Sequence, residues 1–395
     1  MNGFLRVFSG EDASYFLFGP RGTGKTTWLK SSCANAFVID LLDARQRLSL
    51  MADPQRLRAI VEANRDRQIF VVDEIQKLPA LLDVVHQLME TYPELRFVLT
   101  GSSARKLKRA GVDLLGGRAL ERHMHPFMAC ELGNDFSLVE ALMTGLVPVI
   151  GKYANRPKAL ASYLSLYIRE EVEQEGLVRN LDSFARFLEA ISFSHASVLS
   201  PTAISKDCAV KRTTVDSYVS ILDDLLIGKR LGVFSKRAKR RLVSHEKFYF
   251  FDTGVFRAIR PHGPLDRPDE IDGAALEGLV FQHLLAWCEY SGLDNGLFYW
   301  RTQTGDEVDF VVYANTSFSA IEVKNAGKLN AADFKGLRLF GKDYPEAHRI
   351  LLYRGNEQYL EDGILVVPVE KYLLSLVPGR ALPEDQWLAA SKILA

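Results

Sequence analysis

The sequence predicts a multidomain α/β protein, and three observations carry that prediction. An apolar run, "YFLF" (15–18), leads through the glycine-rich loop "GPRGTGKT" into a helical pattern. A second apolar run, "IFVVDEIQKLP", ends in paired carboxylates. Far downstream, "EVDFVVYA" and "FSAIEVK" are two further strand patterns that carry acids. At 395 residues the chain exceeds one ordinary core, so two to four domains are expected.

Composition narrows the functional classes. Apolar content of 47% and charged content of 25% are globular values. The 49 basic residues balance 49 acidic ones, so no overall field recruits nucleic acid or membrane, and any such contact must come from a local patch. The amino-terminal "NGFLRVFSGED" lacks the apolar core of a signal peptide. The best membrane candidate, "LVEALMTGLVPVI", is too short to span a bilayer and holds Glu140. Cys33, Cys130, Cys208 and Cys288 are scattered and fit neither a zinc site nor a disulfide framework. The expectation is a reduced, cytoplasmic protein with no membrane partner.

The loop Gly19, Pro20, Arg21, Gly22, Thr23, Gly24, Lys25, Thr26 satisfies G-x-x-x-x-G-K-[ST], and Thr27 follows it. Glycines let the backbone curl so that successive N–H groups point at phosphate oxygens. Lys25 is placed for the β- and γ-phosphates and Thr26 for Mg²⁺. The helix "KTTWLKSSC" points its N-terminal dipole at the same phosphates. ATP and Mg²⁺ are the expected cofactors, although no base-reading motif separates ATP from GTP.

Asp73, at the end of the second apolar run, is expected to hold the Mg²⁺ water shell, and Glu74 beside it to polarise the attacking water. "AFVID" (36–40) is a strand candidate lying between the two motifs in sequence. Such an intervening strand, with the catalytic Glu next to the Mg²⁺ Asp, points to the additional-strand class of P-loop ATPase. The fourth strand, "RFVLTGSS", ends in Thr100 and Ser102, where a hydroxyl can sense the γ-phosphate or simply close the strand end. The basic helix "SARKLKRAGVDLLGGR" and the strand "ALERHMHPF" follow. Arg118, between them, is the candidate arginine finger acting on a neighbouring subunit, with Arg105 and Arg122 as competitors. A finger in trans implies self-association into an oligomer, with a ring as one form.

Residues 136–190 read as helices, including "KALASYLSLYIREEVEQEGL", with apolar positions at three- and four-residue spacing. A helical lid fits this position. From 199 the pattern changes to two short helices with a tight turn. Ser200 and Pro201 start the first, while Arg212, Thr213 and Thr214 open the second. This is helix-turn-helix spacing, in which the second helix can enter a major groove. Two strands then flank a basic tip holding Lys236, Arg237, Lys239, Arg240 and Arg241. A wing tip suits phosphate contacts. Asp216, Asp223 and Asp224 oppose DNA if they face it, and such modules also serve protein assembly.

Residues 263–275, "GPLDRPDEIDGAA", read as a linker. After the helix "LEGLVFQHLLAWCEYSG", Asp309 and Glu322 fall on consecutive strands joined by "NTS". Glu322 and Lys324 are two apart and share a strand face. Asp309, Glu322 and the carbonyl of Val323 are candidate Mg²⁺ ligands, with Glu277 as a further carboxylate. Lys324 is placed to activate water for attack on a phosphodiester. An exposed strand pair with an Asp–Lys bridge is the plainer alternative.

In order, "GPRGTGKT", "VVDEIQKLP", "TGSSARKL", "LLGGRA", "SYLSLYIREEV", "LSPTAISKDCAVKRTTVDSY", "KFYFFDTGV", "LEGLVFQHLL", "FYWRTQTGDEVDFVV" and "AIEVK" resemble a prokaryotic family. Its members are AAA+-type ATPases joined to a C-terminal domain of unknown function with a PD-(D/E)xK nuclease-like fold. The resemblance covers nearly the whole chain. It implies a P-loop AAA+-type ATPase core at 1–135 (a parallel sheet with helices on both faces) and a helical lid at 136–190. A winged helix-turn-helix at 191–262, a PD-(D/E)xK nuclease-like domain at 263–375 and a tail at 376–395 complete the expected order. It implies the usual roles for Lys25, Thr26, Asp73 and Glu74, and assigns none to Arg169 of "YIREEV". The expected function is Mg²⁺-dependent ATP hydrolysis coupled to binding or remodelling of duplex or branched DNA. The C-terminal site would cut branched or damaged DNA. The alternative is an ATP-driven switch whose nuclease-like domain is an inactive binding module.

Overall fold

The computed structural model describes residues 5–102, 107, 117–174, 180–264, 266–293, 296–314 and 317–393, with backbone alone over 166–174 and 389–393. The chain divides into two units. One holds Phe8–His125 with Asp224–Ile227, and the other holds the remaining residues.

The first unit is a layered α/β domain. Its strands β1 (Tyr15–Phe18), β2 (Phe37–Asp40), β3 (Ile69–Asp73), β4 (Arg96–Gly101) and β5 (Leu120–His123) form one parallel sheet in the order β2-β3-β4-β1-β5. Helix α1 (Lys25–Ser32) follows β1 directly, and α2 (Ala44–Ala52), α3 (Arg56–Ala63) and α4 (Leu81–Thr91) complete the crossovers. Phe16, Phe18, Phe70, Phe97 and Leu99 of the strands share one core with Leu81, Val85 and Leu88 of α4. Strands buried on both faces read as continuous apolar runs, which is why the three central segments, β3, β4 and β1, were legible.

The intervening strand differs from expectation. "AFVID" does form β2, but it lies at the sheet edge. The strand standing between the P-loop strand and the Asp73 strand is β4. Chain order cannot reveal this, because a right-handed crossover may skip a position in the sheet. Its effect is to put Thr100 of β4 on one side of Asp73, while Asp40 of β2 pairs with it on the other. Most of the basic helix at 102–118, including Arg105, lies outside the described residues.

The second unit begins with α5 (Ala129–Leu132), α6 (Leu138–Thr144), α7 (Arg156–Gln174) and α8 (Leu181–Ser192). It continues through β6 (Ser197–Val198), α9 (Pro201–Asp207), α10 (Arg212–Asp224), β7 (Gly228–Leu231) and β8 (Lys247–Phe250). β6, β8 and β7 form a small antiparallel sheet in that order. Ser200 caps α9, with Pro201 in its first turn.

The helix α11 (Thr253–Ile259) joins this sheet to α6. Asp252 is fully buried: its Oδ2 accepts from Leu146 N at 2.7 Å and its Oδ1 from Gly254 N at 2.9 Å and Val255 N at 3.1 Å. Burial raises its carboxyl to about 6, against the pull of those three amides. Gly145 allows the approach, since a Cβ there would lie 1.9 Å from Asp252 Oδ1.

The expected linker is shorter than predicted. Helix α12 runs from Pro268 to Tyr290, with Pro in its first turn and Asp269 and Glu270 beside it. These residues favour a helix start, so the Pro/acid cluster at 268–270 opens a helix instead of interrupting the chain. The helix is buried on nearly all sides, through Leu276, Leu279, Phe281, His283 and Trp287 among others.

It lies against a six-stranded mixed sheet of β9 (Leu297–Arg301), β10 (Glu307–Ala314), β11 (Ser317–Lys324), β12 (His348–Tyr353), β13 (Tyr359–Glu361) and β14 (Ile364–Pro368). Their order is β13-β14-β12-β11-β10-β9. Helices α13 (Lys335–Asp343), α14 (Val369–Ser375) and α15 (Pro383–Ile393) pack on its strands. Glu384 of α15 is fully buried, beside Ser319 and Tyr372. Burial raises its carboxyl to about 7.

Two predictions follow from these carboxyls. Asp252→Ala should cost about 2–4 kcal/mol in urea unfolding, because it orphans three buried donors. Glu384 holds its proton in the fold but not in the unfolded chain between roughly pH 4.5 and 7. Its contribution is therefore present below pH 4.5 and lost as pH rises through 7, by an amount on the order of 3 kcal/mol. Glu384→Gln should flatten that decline in pH-dependent melting and stabilise the protein at pH 8.

Candidate functional site

The nucleotide site is built where β1, β3 and β4 end. Gly19 packs so closely that a Cβ would lie 2.5 Å from Met124 O, and Gly24 takes φ 97° as it opens α1. These two glycines turn the loop back over the helix N-terminus. Thr23 Oγ1 donates to Pro20 O at 2.8 Å and braces the curl. Lys25 is buried, with Nζ 2.6 Å from Gly19 O and 3.2 Å from Pro20 O. Arg21, Thr26 and Thr27 lie on the exposed side, and Gly22 is half-buried.

Thr26 Oγ1 donates to Asp73 Oδ2 at 3.0 Å, across the gap between α1 and β3. The other carboxylate oxygen of Asp73 accepts from Thr100 Oγ1. A hydroxyl and a carboxylate oxygen are hard donors of the kind Mg²⁺ prefers while keeping most of its waters. Thr26 and Asp73 therefore fit the metal that P-loop chemistry requires.

Glu74 sits one residue on, with φ 61° and ψ 46°, a left-handed conformation that a glutamate rarely adopts. Its N–H donates to Thr100 Oγ1 at 3.0 Å, and its carboxylate accepts from the Gln76 amide. Gln76 Nε2 also donates to Ser102 Oγ at 3.3 Å, which places Ser102 beside the acid's amide partner. Sequence reading passed over Gln76. Its signal is a polar residue that stays buried in a turn directly after the carboxylates. Arg118 is half-exposed and pairs with Glu90 at 2.9 Å, while Arg122 pairs with Glu11 at 3.1 Å.

In the second unit, Arg212 and Thr213 are exposed at the start of α10, Thr214 is half-buried, and Arg212 lies 3.9 Å from Asp216. The basic loop after β7 is pinned along the sheet. Phe234 is buried in the core of the C-terminal sheet, Val233 bridges to Tyr299 and Leu242 to Thr302. Arg240 Nε contacts Asp343 at 2.6 Å, and Lys236 Nζ lies 4.4 Å from the Tyr313 ring centre. Lys236, Arg237, Lys239, Arg240 and Arg241 all remain exposed.

The C-terminal acids do come together. Phe310 pairs with Ile321, so Asp309 and Glu322 stand next along neighbouring strands. Both are buried, each 7% exposed. Asp309 Oδ2 accepts from Val323 N at 2.9 Å, so the Val323 N–H, and not its carbonyl, faces the acid. Lys324 Nζ donates to Glu322 Oε1 at 2.6 Å, while Glu322 Oε2 is buried without a partner.

A second residue that sequence reading missed is Lys247 of β8. Its ammonium, in a side chain only 2% exposed, contacts Glu277 Oε1 at 2.9 Å and Asp309 Oδ1 at 3.3 Å, and also touches Glu307. Tyr249, two residues on, donates to Glu277 Oε1 at 2.6 Å. Burial pulls the lysine's pKa down, but the carboxylates, Glu277 first, override it and hold the ammonium charged. Burial, then Asp309, lifts the Glu277 carboxyl to about 7 and the Glu322 carboxyl well up.

Among the described residues no group of three or more His, Cys, Asp or Glu side chains is arranged to hold a metal ion. As they stand, Asp309, Glu322 and Glu277 do not fit Mg²⁺, because an ammonium is already bonded to two of the three. Two signals pointed here: Glu307 precedes Asp309 by the strand period, and Lys247 interrupts an otherwise apolar "KFYFF".

Comparison with known proteins agrees with the front half. Residues 11–133 match the AAA domain family. This stretch is an AAA-type P-loop ATPase domain. Residues 135–266 and 272–372 match two families described only as domains of unknown function, DUF8612 and DUF4143. Uncharacterized proteins of Mycobacterium tuberculosis and Mycobacterium bovis are each 24% identical over 366 residues, covering 90% of this chain and 80% of theirs. One from Haemophilus influenzae is 21% identical over 344 residues, covering 81% of both. AMPPCP-bound DnaA from Aquifex aeolicus matches with a TM-score of 0.27 at 13% identity, over 53% of this chain and 81% of its own, too distant to carry an argument. Among the described residues no helix of this chain is long and apolar enough to cross a membrane.

Gln76→Leu removes the amide that orients Glu74. Steady-state kinetics should show kcat lowered by about 10–100-fold with KM for the nucleotide little changed, since a misplaced group costs rate before it costs binding.

Proposed function

We propose that the chain is an Mg²⁺-dependent ATPase whose hydrolysis is coupled to binding or remodelling of DNA. The observation that carries the ATPase part is the contact of Thr26 with Asp73 beside a buried Lys25. In this reading Lys25 and the loop amides hold the phosphates, and Mg²⁺ bound near Thr26 and Asp73 neutralises charge that develops on them. Glu74 aligns water for in-line attack, and Ser102 steadies it through Gln76. Arg118 reaches the site of a neighbouring copy, so activity depends on self-association.

Support for DNA as partner is local. The helix pair α9–α10 with the β6-β8-β7 sheet has the element order of a winged helix. Arg212, Thr213 and Thr214 open its second helix. Lys236, Arg237, Lys239, Arg240 and Arg241 supply exposed charge against a chain of zero net charge.

For the C-terminal domain, two readings compete. In one, Asp309, Glu322 and Glu277 hold Mg²⁺ and Lys324 activates water, so that branched or damaged DNA is cut. In the other the PD-(D/E)xK-like sheet is a catalytically inactive binding module. The ammonium of Lys247 within the acids favours the second.

The test is the ATPase rate with and without single-stranded, duplex and forked DNA, across protein concentrations. Stimulation by DNA, a specific activity that rises with concentration, and loss of turnover in Lys25→Ala are expected. A rate indifferent to every DNA would defeat the coupling. DNA affinity should fall steeply with salt, and Arg237→Glu with Lys239→Glu should weaken binding and reduce the salt slope by about 2.

A further inference from the structure

Lys247 reaches its carboxylates from a different sheet. Its backbone belongs to β8, paired with Leu231 of β7 and Val198 of β6, whereas Glu307 and Asp309 belong to β10 and Glu277 to α12. The side chain is almost wholly buried, so its charge is balanced by these acids and not by solvation. The ammonium meets oxygens of three carboxylates, at 2.9 Å from Glu277 and 3.3 Å from Asp309, and touches Glu307 as well. Such spacings suit N–H···O contacts. Beside this group, Glu322 keeps one oxygen buried and unpartnered although its other oxygen is bonded to Lys324.

We infer that Lys247 is a tethered counter-ion standing where a divalent cation would sit among Glu277, Glu307 and Asp309, beside Glu322, and that replacing it with a neutral side chain opens a divalent-metal site. The inference deepens the binding-module reading above and rests on it. A lysine delivers one positive charge at a fixed point and offers no exchangeable water or open coordination position, so it neutralises the acids without supplying phosphodiester chemistry. It also joins the small sheet to the C-terminal sheet by an ion cluster shielded from solvent. Without it, Glu277 and Asp309 lose their cation, while Lys324 still serves Glu322 and Arg301 still serves Glu307, and that deficit drives uptake of a cation or of protons. The orphaned Glu322 oxygen and the freed oxygens of Glu277 and Asp309 are hard ligands for Mn²⁺ or Mg²⁺.

The test uses the full-length protein without nucleotide or DNA, and Mn²⁺ alone as the probe. Calorimetry and Mn²⁺ paramagnetic resonance would compare wild type, Lys247→Met, Lys247→Arg and Lys247→Met/Asp309→Asn. Lys247→Met should bind one Mn²⁺ at least tenfold more tightly than wild type, with a melting temperature that rises with Mn²⁺. Lys247→Arg should resemble wild type, and the double variant should lose the binding. A Lys247→Met protein that folds only when Mn²⁺ is present also supports the inference. If Lys247→Met fails to fold under either condition, Lys247→Met/Glu307→Gln removes one carboxylate together with the cation, and the same Mn²⁺ binding is expected of it. Folded neutral variants that bind no Mn²⁺, or a wild type that binds as tightly as Lys247→Met, overturn the inference. Failure of the underlying reading looks different: wild-type protein would cleave DNA and Asp309→Asn would not.

Discussion

The buried ammonium of Lys247 is the constraint on which the second unit depends. Glu277, Glu307 and Asp309 converge on it from one helix and one strand, and Glu307 is shared with Arg301. An ion cluster of this kind adds little net stability compared with an apolar core. It does demand that every partner be present, because breaking one contact leaves a charge in a low-dielectric interior. The cluster links the small sheet of β6, β7 and β8 to the large sheet of β9–β14, alongside the backbone bridges of Val233 to Tyr299 and Leu242 to Thr302. Tyr249 and Phe281, stacked with ring centres 4.1 Å apart, pack the apolar side of the same junction.

The molecule solves one electrostatic problem in two ways. At the nucleotide site a strand-end carboxylate, Asp73, is shared between two hydroxyls, Thr26 and Thr100. Hydroxyls satisfy its hydrogen bonding without bringing a counter-charge to it. At the C-terminal sheet the carboxylates meet a covalently held cation that cannot leave. The first arrangement suits turnover and the second suits permanence. This difference, rather than the count of acids, separates an active centre from its structural counterpart.

The front half was readable because its chemistry is contiguous. The loop Gly19–Thr26 is a single stretch, Asp73 and Glu74 adjoin, and the buried parallel strands announce themselves as apolar runs. Sheet order was not readable, because whether β2 or β4 flanks the P-loop strand depends on crossovers, so Thr100 gained its partner only in three dimensions. The Pro268–Glu270 start of α12 was misread because the residues that open a helix also populate linkers. The rear acids were found by strand period. Lys247 was missed because its partners are 30, 60 and 62 residues away on other elements, and a lysine inside "KFYFF" reads as an edge residue until its burial is seen.

Anomalous diffraction from crystals grown with Mn²⁺ and a hydrolysis-resistant ATP analogue tests the contrast between the two carboxylate sets most directly. The account predicts an anomalous peak beside Thr26 and Asp73 and none among Glu277, Asp309 and Glu322, with Lys247 retained in their midst. A Mn²⁺ ion bound by Asp309 and Glu322, with the Lys247 side chain displaced, would contradict it.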